Sequence, residues 1–222
     1  LPALARSLRR GQLTIVVSPL QALMKDQVDG LVRRTGMHGA AALYGLLTSP
    51  ERAEVLRGVR TGSVSLLYVA PEQVRSRAFR NAVLQREIGC WVLDEAHCLS
   101  KWGHDFRPDY LYVGRFIREL ARDQGGALPA IACFTATAKK DVIAEIVEYF
   151  RRETGAELIR YAGGVERDNL NFEVQTVGRH AKLPRVDDLL HERLSPDGSG
   201  SAVVFRATRQ AARGSLSHRI EL

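Results

Sequence analysis

Only three cysteines, Cys90, Cys98 and Cys133, occur in the 222 residues. They are too few and too scattered for a disulfide framework, which fits a reducing cytoplasm. Zinc is no better served, because Cys90, His97, Cys98 and His104 match no common ligand spacing. Cys90 and Cys133 fall in apolar runs and read as small buried hydrophobes. No run approaches the ~20 apolar residues of a membrane span. Arg6, Arg9 and Arg10 stand near small apolar residues, but no long apolar core follows, so a secretory signal is not expected. No Gly-Lys pair occurs, which excludes from these residues a phosphate-binding loop of the Gly-x-x-x-x-Gly-Lys-Ser/Thr kind. Internal repeats and low-complexity tracts are also absent.

What is present is a chain that is 45% hydrophobic, enough for one sizeable core and part of a second. A formal net charge of +7 favours a polyanionic partner. Most of the basic residues are arginines, and the majority of them are read as solvated helix-face charges.

Short, continuously apolar runs alternate with segments of helical period. Residues 1–10 read as the end of a helix stopped by Gly11, and Thr14–Val17 as a strand closed by Ser18-Pro19. Leu20 to Leu31 continues with helical spacing. Leu43-Tyr44-Gly45 is a short apolar segment leading into a loop. Thr48 or Ser49 is placed to cap a helix over 50–59. Val64–Val69 reads as a strand, followed by helical spacing around Val74–Val83. Strands at 90–93 and 131–134 alternate with helices over about 113–122 and 139–151. This order implies a parallel α/β sheet.

The most informative run is Cys90-Trp91-Val92-Leu93-Asp94-Glu95-Ala96-His97. A strand buried on both faces switches within one residue to two carboxylates. Both acids then lie at the carboxyl edge of the sheet, where open α/β folds bind ligands. There Asp94 can hold Mg²⁺ through its water shell, and Glu95 can orient or deprotonate an attacking water. The plainer account is a solvated acidic loop, which Asp-Glu alone would favour and Asp-Glu-Ala-His after such a strand does not.

Asp94-Glu95-Ala96-His97 resembles the DEAH form of the acidic motif of superfamily 2 helicases. Ser100-Lys101-Trp102-Gly103-His104-Asp105-Phe106-Arg107-Pro108-Asp109-Tyr110 resembles the aromatic-rich loop of RecQ-family DNA helicases. In that family the loop senses single-stranded DNA and signals to the ATP site. Trp102 and Phe106 offer faces for base stacking, and His104 and Arg107 offer contacts to phosphate or a relay toward Glu95. The plainer account packs both aromatics beneath the loop.

Three further segments resemble the family. Ser18-Pro19-Leu20, with Lys25 behind it, resembles the motif that touches the DNA backbone, although Ser-Pro also serves simply to start a helix. Tyr68-Val69-Ala70-Pro71-Glu72 resembles the next motif, but a strand-to-helix junction explains it equally well. Thr135-Ala136-Thr137 resembles the motif coupling hydrolysis to DNA movement. Its hydroxyls can bond toward residues 94–97 if the two strands are neighbours, and Thr137 can cap the following helix.

The resemblance covers roughly residues 1–210. It implies a RecA-like parallel sheet flanked by helices, the motor-domain fold of P-loop NTPases, over residues 1–160. An interdomain linker is expected at 161–170, where Gly163-Gly164 precedes charge, and the incomplete start of a second RecA-like domain at 171–222. Arg167-Asp168-Asn169-Leu170 resembles an interdomain segment, with Asp168 where proline is usual. Pro184–Arg193 is expected to be helical and Ser201–Phe205 a buried strand. The implied activity is ATP-dependent 3′-to-5′ unwinding of DNA in repair and recombination. ATP and Mg²⁺ are the implied ligands, single-stranded DNA and duplex junctions the partners, and the cytoplasm (the nucleoid, if bacterial) the location. Catalysis would fall to Asp94, Glu95 and His97, coupling to Thr135 and Thr137, and DNA contact to Ser18, Lys25, Trp102, His104, Phe106 and Arg107. Two other readings stay open: a non-catalytic DNA-binding remnant, and a superfamily 2 RNA helicase.

Overall fold

A computed structural model describes residues 2–100, 106–136, 139–161, 170–171, 173–194 and 201–205. Trp102, His104, Thr137 and most of the expected linker lie outside them. Contacts divide the chain into two units, Leu1–Tyr161 and Ala162–Leu222.

In the first unit the elements run α1 (Pro2–Arg10), β1 (Leu13–Val17), α2 (Gln21–Thr35), β2 (Ala40–Leu43), α3 (Ser49–Thr61), β3 (Leu66–Val69), α4 (Arg77–Val83), β4 (Ile88–Leu93), α5 (Pro108–Asp123), β5 (Ala130–Cys133) and α6 (Lys140–Thr154). Short 3-10 turns, Pro71–Arg75 and Ala96–Leu99, precede α4 and follow β4. The five strands form one parallel sheet in the order β2-β3-β1-β4-β5. This is the α/β sheet flanked by helices that the alternating pattern implied.

Local chemistry sets the element ends. Thr48 caps α3 through a reciprocal box with Glu51, and Thr48 holds the Glu51 carboxyl below its usual range. Left-handed Gly36, Gly62 and Gly155 close α2, α3 and α6. Helix α5 begins earlier than its apolar period suggested, because Pro108 at its first turn starts it.

The two sheet faces are unequal. On one, Leu13, Ile15, Val17, Leu67, Val69, Trp91 and Leu93 pack against α3 to α6, with Phe79, Phe116 and Phe150 filling the layer between. Trp91 meets Phe116 edge-on at 5.9 Å between ring centroids. On the other, a smaller cluster of Val16, Ala40 and Leu66 is backed by Val28 and Leu31 of α2. Helices α5 and α6 approach closely at Gly114, whose backbone N–H donates to the Tyr149 hydroxyl (3.0 Å) while that hydroxyl donates to the Leu111 carbonyl (2.8 Å).

Four expectations need correcting. Residues Ala40–Leu43 form strand β2, whereas only Leu43-Tyr44-Gly45 was read, as a short apolar segment leading into a loop. Strand β5 stands at the sheet edge among the described residues, so Ile131, Ala132 and Cys133 are half-buried rather than enclosed. Cys90 is likewise half-buried, whereas Cys98 is fully buried. Residues 201–205 form no strand, and Val203 and Phe205 are exposed. A strand is held by its ladder, and no described residue pairs with this run. The second unit's described structure is a 3-10 turn, Arg179–Ala181, followed by α7 (Lys182–Arg193), which covers the helix expected from Pro184.

Candidate nucleotide site at the carboxyl edge

Strands β1, β4 and β5 lie side by side, and their carboxyl ends bring three sequence motifs together. The Asp94 amide donates to the Val17 carbonyl (2.9 Å), which extends the β1–β4 ladder by one step. The Ser18 hydroxyl donates to Asp94 Oδ2 (3.3 Å), and the Glu95 amide donates to Asp94 Oδ1 (3.0 Å). Both oxygens of the Asp94 carboxylate therefore have a donor, which fixes its plane.

Glu95 adopts φ 47° and ψ 46°, the only positive φ of a non-glycine among the described residues. Backbone strain of this kind collects at functional sites. It turns the chain sharply after β4, and the Ala96 amide then donates to the Phe134 carbonyl at the end of β5 (2.9 Å). His97 Nδ1 lies 3.2 Å from Glu95 Oε2 and 3.1 Å from Thr135 Oγ1. His97 Nδ1 faces the Glu95 carboxylate and hydrogen-bonds with the Thr135 hydroxyl. Thr135 thus reaches the acidic turn, as the neighbouring-strand argument required.

The segment after the turn is tied down at both ends. The Ser100 hydroxyl, fully buried, donates to Glu145 Oε2 on α6 (2.5 Å). The Arg107 amide donates to the Cys98 carbonyl (3.0 Å), and its guanidinium donates to the Pro19 carbonyl (3.0 Å). Arg107 and Phe106 are half-buried, and Lys25 is exposed on α2. Ser18, assigned to DNA from the resemblance, is 1% exposed, and its hydroxyl is occupied by Asp94.

Two side chains at this edge were given no role by sequence reasoning. Tyr110 is fully buried, and its hydroxyl donates to the Asp94 carbonyl (2.9 Å), with the Val17 carbonyl at 3.5 Å. Glu145 is the other. Nothing in the helical period of 108–123 or 140–154 marks either residue, and only the position of Tyr110 within the aromatic segment hinted at it.

A cavity of about 230 Å³ opens beside Ser18 and Asp94 on the thinly covered face, walled by Val16, Met24, Tyr68, Val92 and Phe134. Burial, and secondarily the nearby Asp94 charge, pushes the Tyr68 hydroxyl up, so it stays a neutral donor. Burial likewise raises the Cys133 thiol to about 12, which leaves it protonated and inert at neutral pH.

No group of three or more His, Cys, Asp or Glu side chains placed to hold a metal occurs among the described residues. No described helix is long and apolar enough to cross a membrane.

A sequence model of the DEAD/DEAH box helicases matches residues 1–146. Over 202 residues the chain is 33% identical to the probable ATP-dependent DNA helicase RecS of Bacillus subtilis, covering 90% of this chain and 37% of that protein. It is 35% identical over 199 residues to the ATP-dependent DNA helicase RecQ of the same organism, covering 90% and 31% respectively. The chain thus spans about a third of the length of these curated relatives. A crystal structure of the DUF1998 helicase MrfA superimposes with a TM-score of 0.65 at 18% identity, over 98% of this chain and 32% of that one, and so shares the fold.

Proposed function

This chain belongs to the DEAD/DEAH box helicase family, and we propose that it is the first motor domain of a RecQ-type ATP-dependent DNA helicase, followed by a linker and the start of a second motor domain. The observation that carries this reading is the convergence of Ser18–Asp94 and Glu95–His97–Thr135 at the ends of three adjacent strands. The phosphates of ATP lie over this carboxyl edge, beside the cavity on the thin face.

Asp94, held by Ser18 and by the Glu95 amide, would hold a Mg²⁺ ion through its water shell, and the ion would supply charge neutralisation to the phosphates. Glu95 accepts the proton of the attacking water, and His97 steers its carboxylate from the side. Thr135, through His97, senses the state of that carboxylate, and Thr137 completes the coupling segment. Lys25, Trp102, His104, Phe106 and Arg107 serve DNA, with Trp102 and Phe106 stacking on bases. Ser18 serves DNA only indirectly, through Pro19 and Arg107. The coupled output is 3′-to-5′ unwinding of duplex and junction DNA in repair and recombination, in the cytoplasm or nucleoid.

The 222 residues alone do not turn ATP over, because they contain no Gly-Lys pair to cradle the phosphates. DNA-stimulated hydrolysis by the purified 222-residue chain, abolished by Glu95→Gln, would contradict that. In the full-length gene product, Glu95→Ala should stop hydrolysis and leave nucleotide affinity nearly unchanged, whereas Asp94→Ala should also weaken Mg²⁺-dependent binding. Equal loss of affinity in both would refute the separate roles.

A further inference from the structure

Glu95 is held between two peptide planes, and both are pinned. The plane after it is fixed by the Ala96 amide on the Phe134 carbonyl (2.9 Å). The plane before it has its N–H on Asp94 Oδ1 (3.0 Å) and its carbonyl oxygen on the Tyr110 hydroxyl (2.9 Å). Of the three partners, Asp94 Oδ1 is local and the Phe134 carbonyl is backbone at the end of β5. Tyr110 is the one side chain that reaches in from another element, the first turn of α5, and it does so from a fully buried position.

We propose that Tyr110 is a positioning residue for the reaction: its hydroxyl locks the Asp94–Glu95 peptide plane and thereby holds Glu95 in the left-handed conformation that aims its carboxylate. The inference rests on the hydrolytic reading of Glu95. A glutamate left to itself favours φ near −60°, and rotating the preceding plane is the route back to it. With the carbonyl of Asp94 tied to α5 that rotation breaks a partly buried hydrogen bond, so the strained turn persists. Burial, with smaller contributions from Cys98 and Asp94, pushes the Tyr110 hydroxyl far above its ordinary range, so it remains a donor at every working pH.

The same first turn of α5 carries Arg107 at its cap, with its guanidinium on the Pro19 carbonyl. Residues 107 and 110 therefore clamp the ends of β1 and β4 from one side. This arrangement explains why a large polar ring is buried at a position where phenylalanine would pack as well.

The test uses Tyr110→Phe in the full-length gene product, with Glu95→Gln beside it. Removing the hydroxyl keeps the ring in place, so the thermal midpoint should fall by only a few degrees, roughly the effect of one hydrogen bond. The kcat for ATP should fall roughly 10–100-fold, the scale of a misplaced reacting group, with KM nearly unchanged. Rates with and without single-stranded DNA should fall by the same factor. A wild-type kcat in Tyr110→Phe, while Glu95→Gln is inactive, would overturn this inference alone. So would a loss confined to the DNA-stimulated rate, or one matched by the fraction unfolded. ATP turnover that survives Glu95→Gln would overturn the functional reading and this inference with it.

Discussion

Two neighbouring rows of side chains cross the sheet and point to opposite faces. One row runs Leu43, Val69, Val17, Leu93 and Cys133; the next runs Ala42, Tyr68, Val16, Val92 and Ala132. In the first row, the residues from Leu43 to Leu93 are at most 1% exposed beneath α3 to α6. In the second, Tyr68 and Val92 are half-buried and help to line the cavity beside Asp94. The same strands thus carry a close-packed scaffold on one side and a thinly covered, partly polar surface on the other. Parallel sheets are ordinarily covered on both faces. A face left open beside an acidic strand end is where a ligand can reach the chemistry, while the filled face holds the strand ends in place.

If that division is right, substitutions on the two faces should separate stability from activity. The largest stability loss is expected from Trp91→Ala. Trp91 is fully buried on the packed face, and losing the ring should cost about 3–5 kcal/mol, a large part of a typical domain's stability. Chemical denaturation would read this as a lower midpoint. Gly114→Ala should come next. A Cβ there would meet the Tyr149 hydroxyl at 2.5 Å and two of its ring carbons at 2.8 Å, so α5 and α6 must separate, at about 1–3 kcal/mol. Val92→Ala on the thin face should cost least, roughly 1 kcal/mol, because the residue is only partly buried. A midpoint lowered as much by Val92→Ala as by Trp91→Ala would erase the distinction between the faces.

Much of this was readable from the chain. Trp91-Val92-Leu93 followed by Asp94-Glu95 marked a strand with acids at its carboxyl end, and Thr135 was expected to reach residues 94–97 if the strands were neighbours. The contact between Thr135 and His97 follows from that adjacency. Strand β2 escaped notice because Ala40-Ala41-Ala42-Leu43 has no β-branched residue and a weak strand propensity of its own. It pairs because β3 offers it an edge. Tyr110 escaped notice for a different reason. Its partner lies sixteen residues earlier, on another element, and its hydroxyl role leaves no periodic trace. The run 201–205 misled in the opposite direction, since an apolar, β-branched composition describes what a strand would bury and not whether a partner is beside it.

The most direct test of a nucleotide site on the thin face is amide hydrogen exchange on the full-length gene product, with and without a non-hydrolysable ATP analogue and Mg²⁺. Binding should slow exchange at residues 94–99 and at the β1–α2 junction around 18–24, and leave α3 and α4 behind the packed face unchanged. Protection confined to α3 and α4, with none at 94–99, would contradict the placement of the nucleotide at this edge.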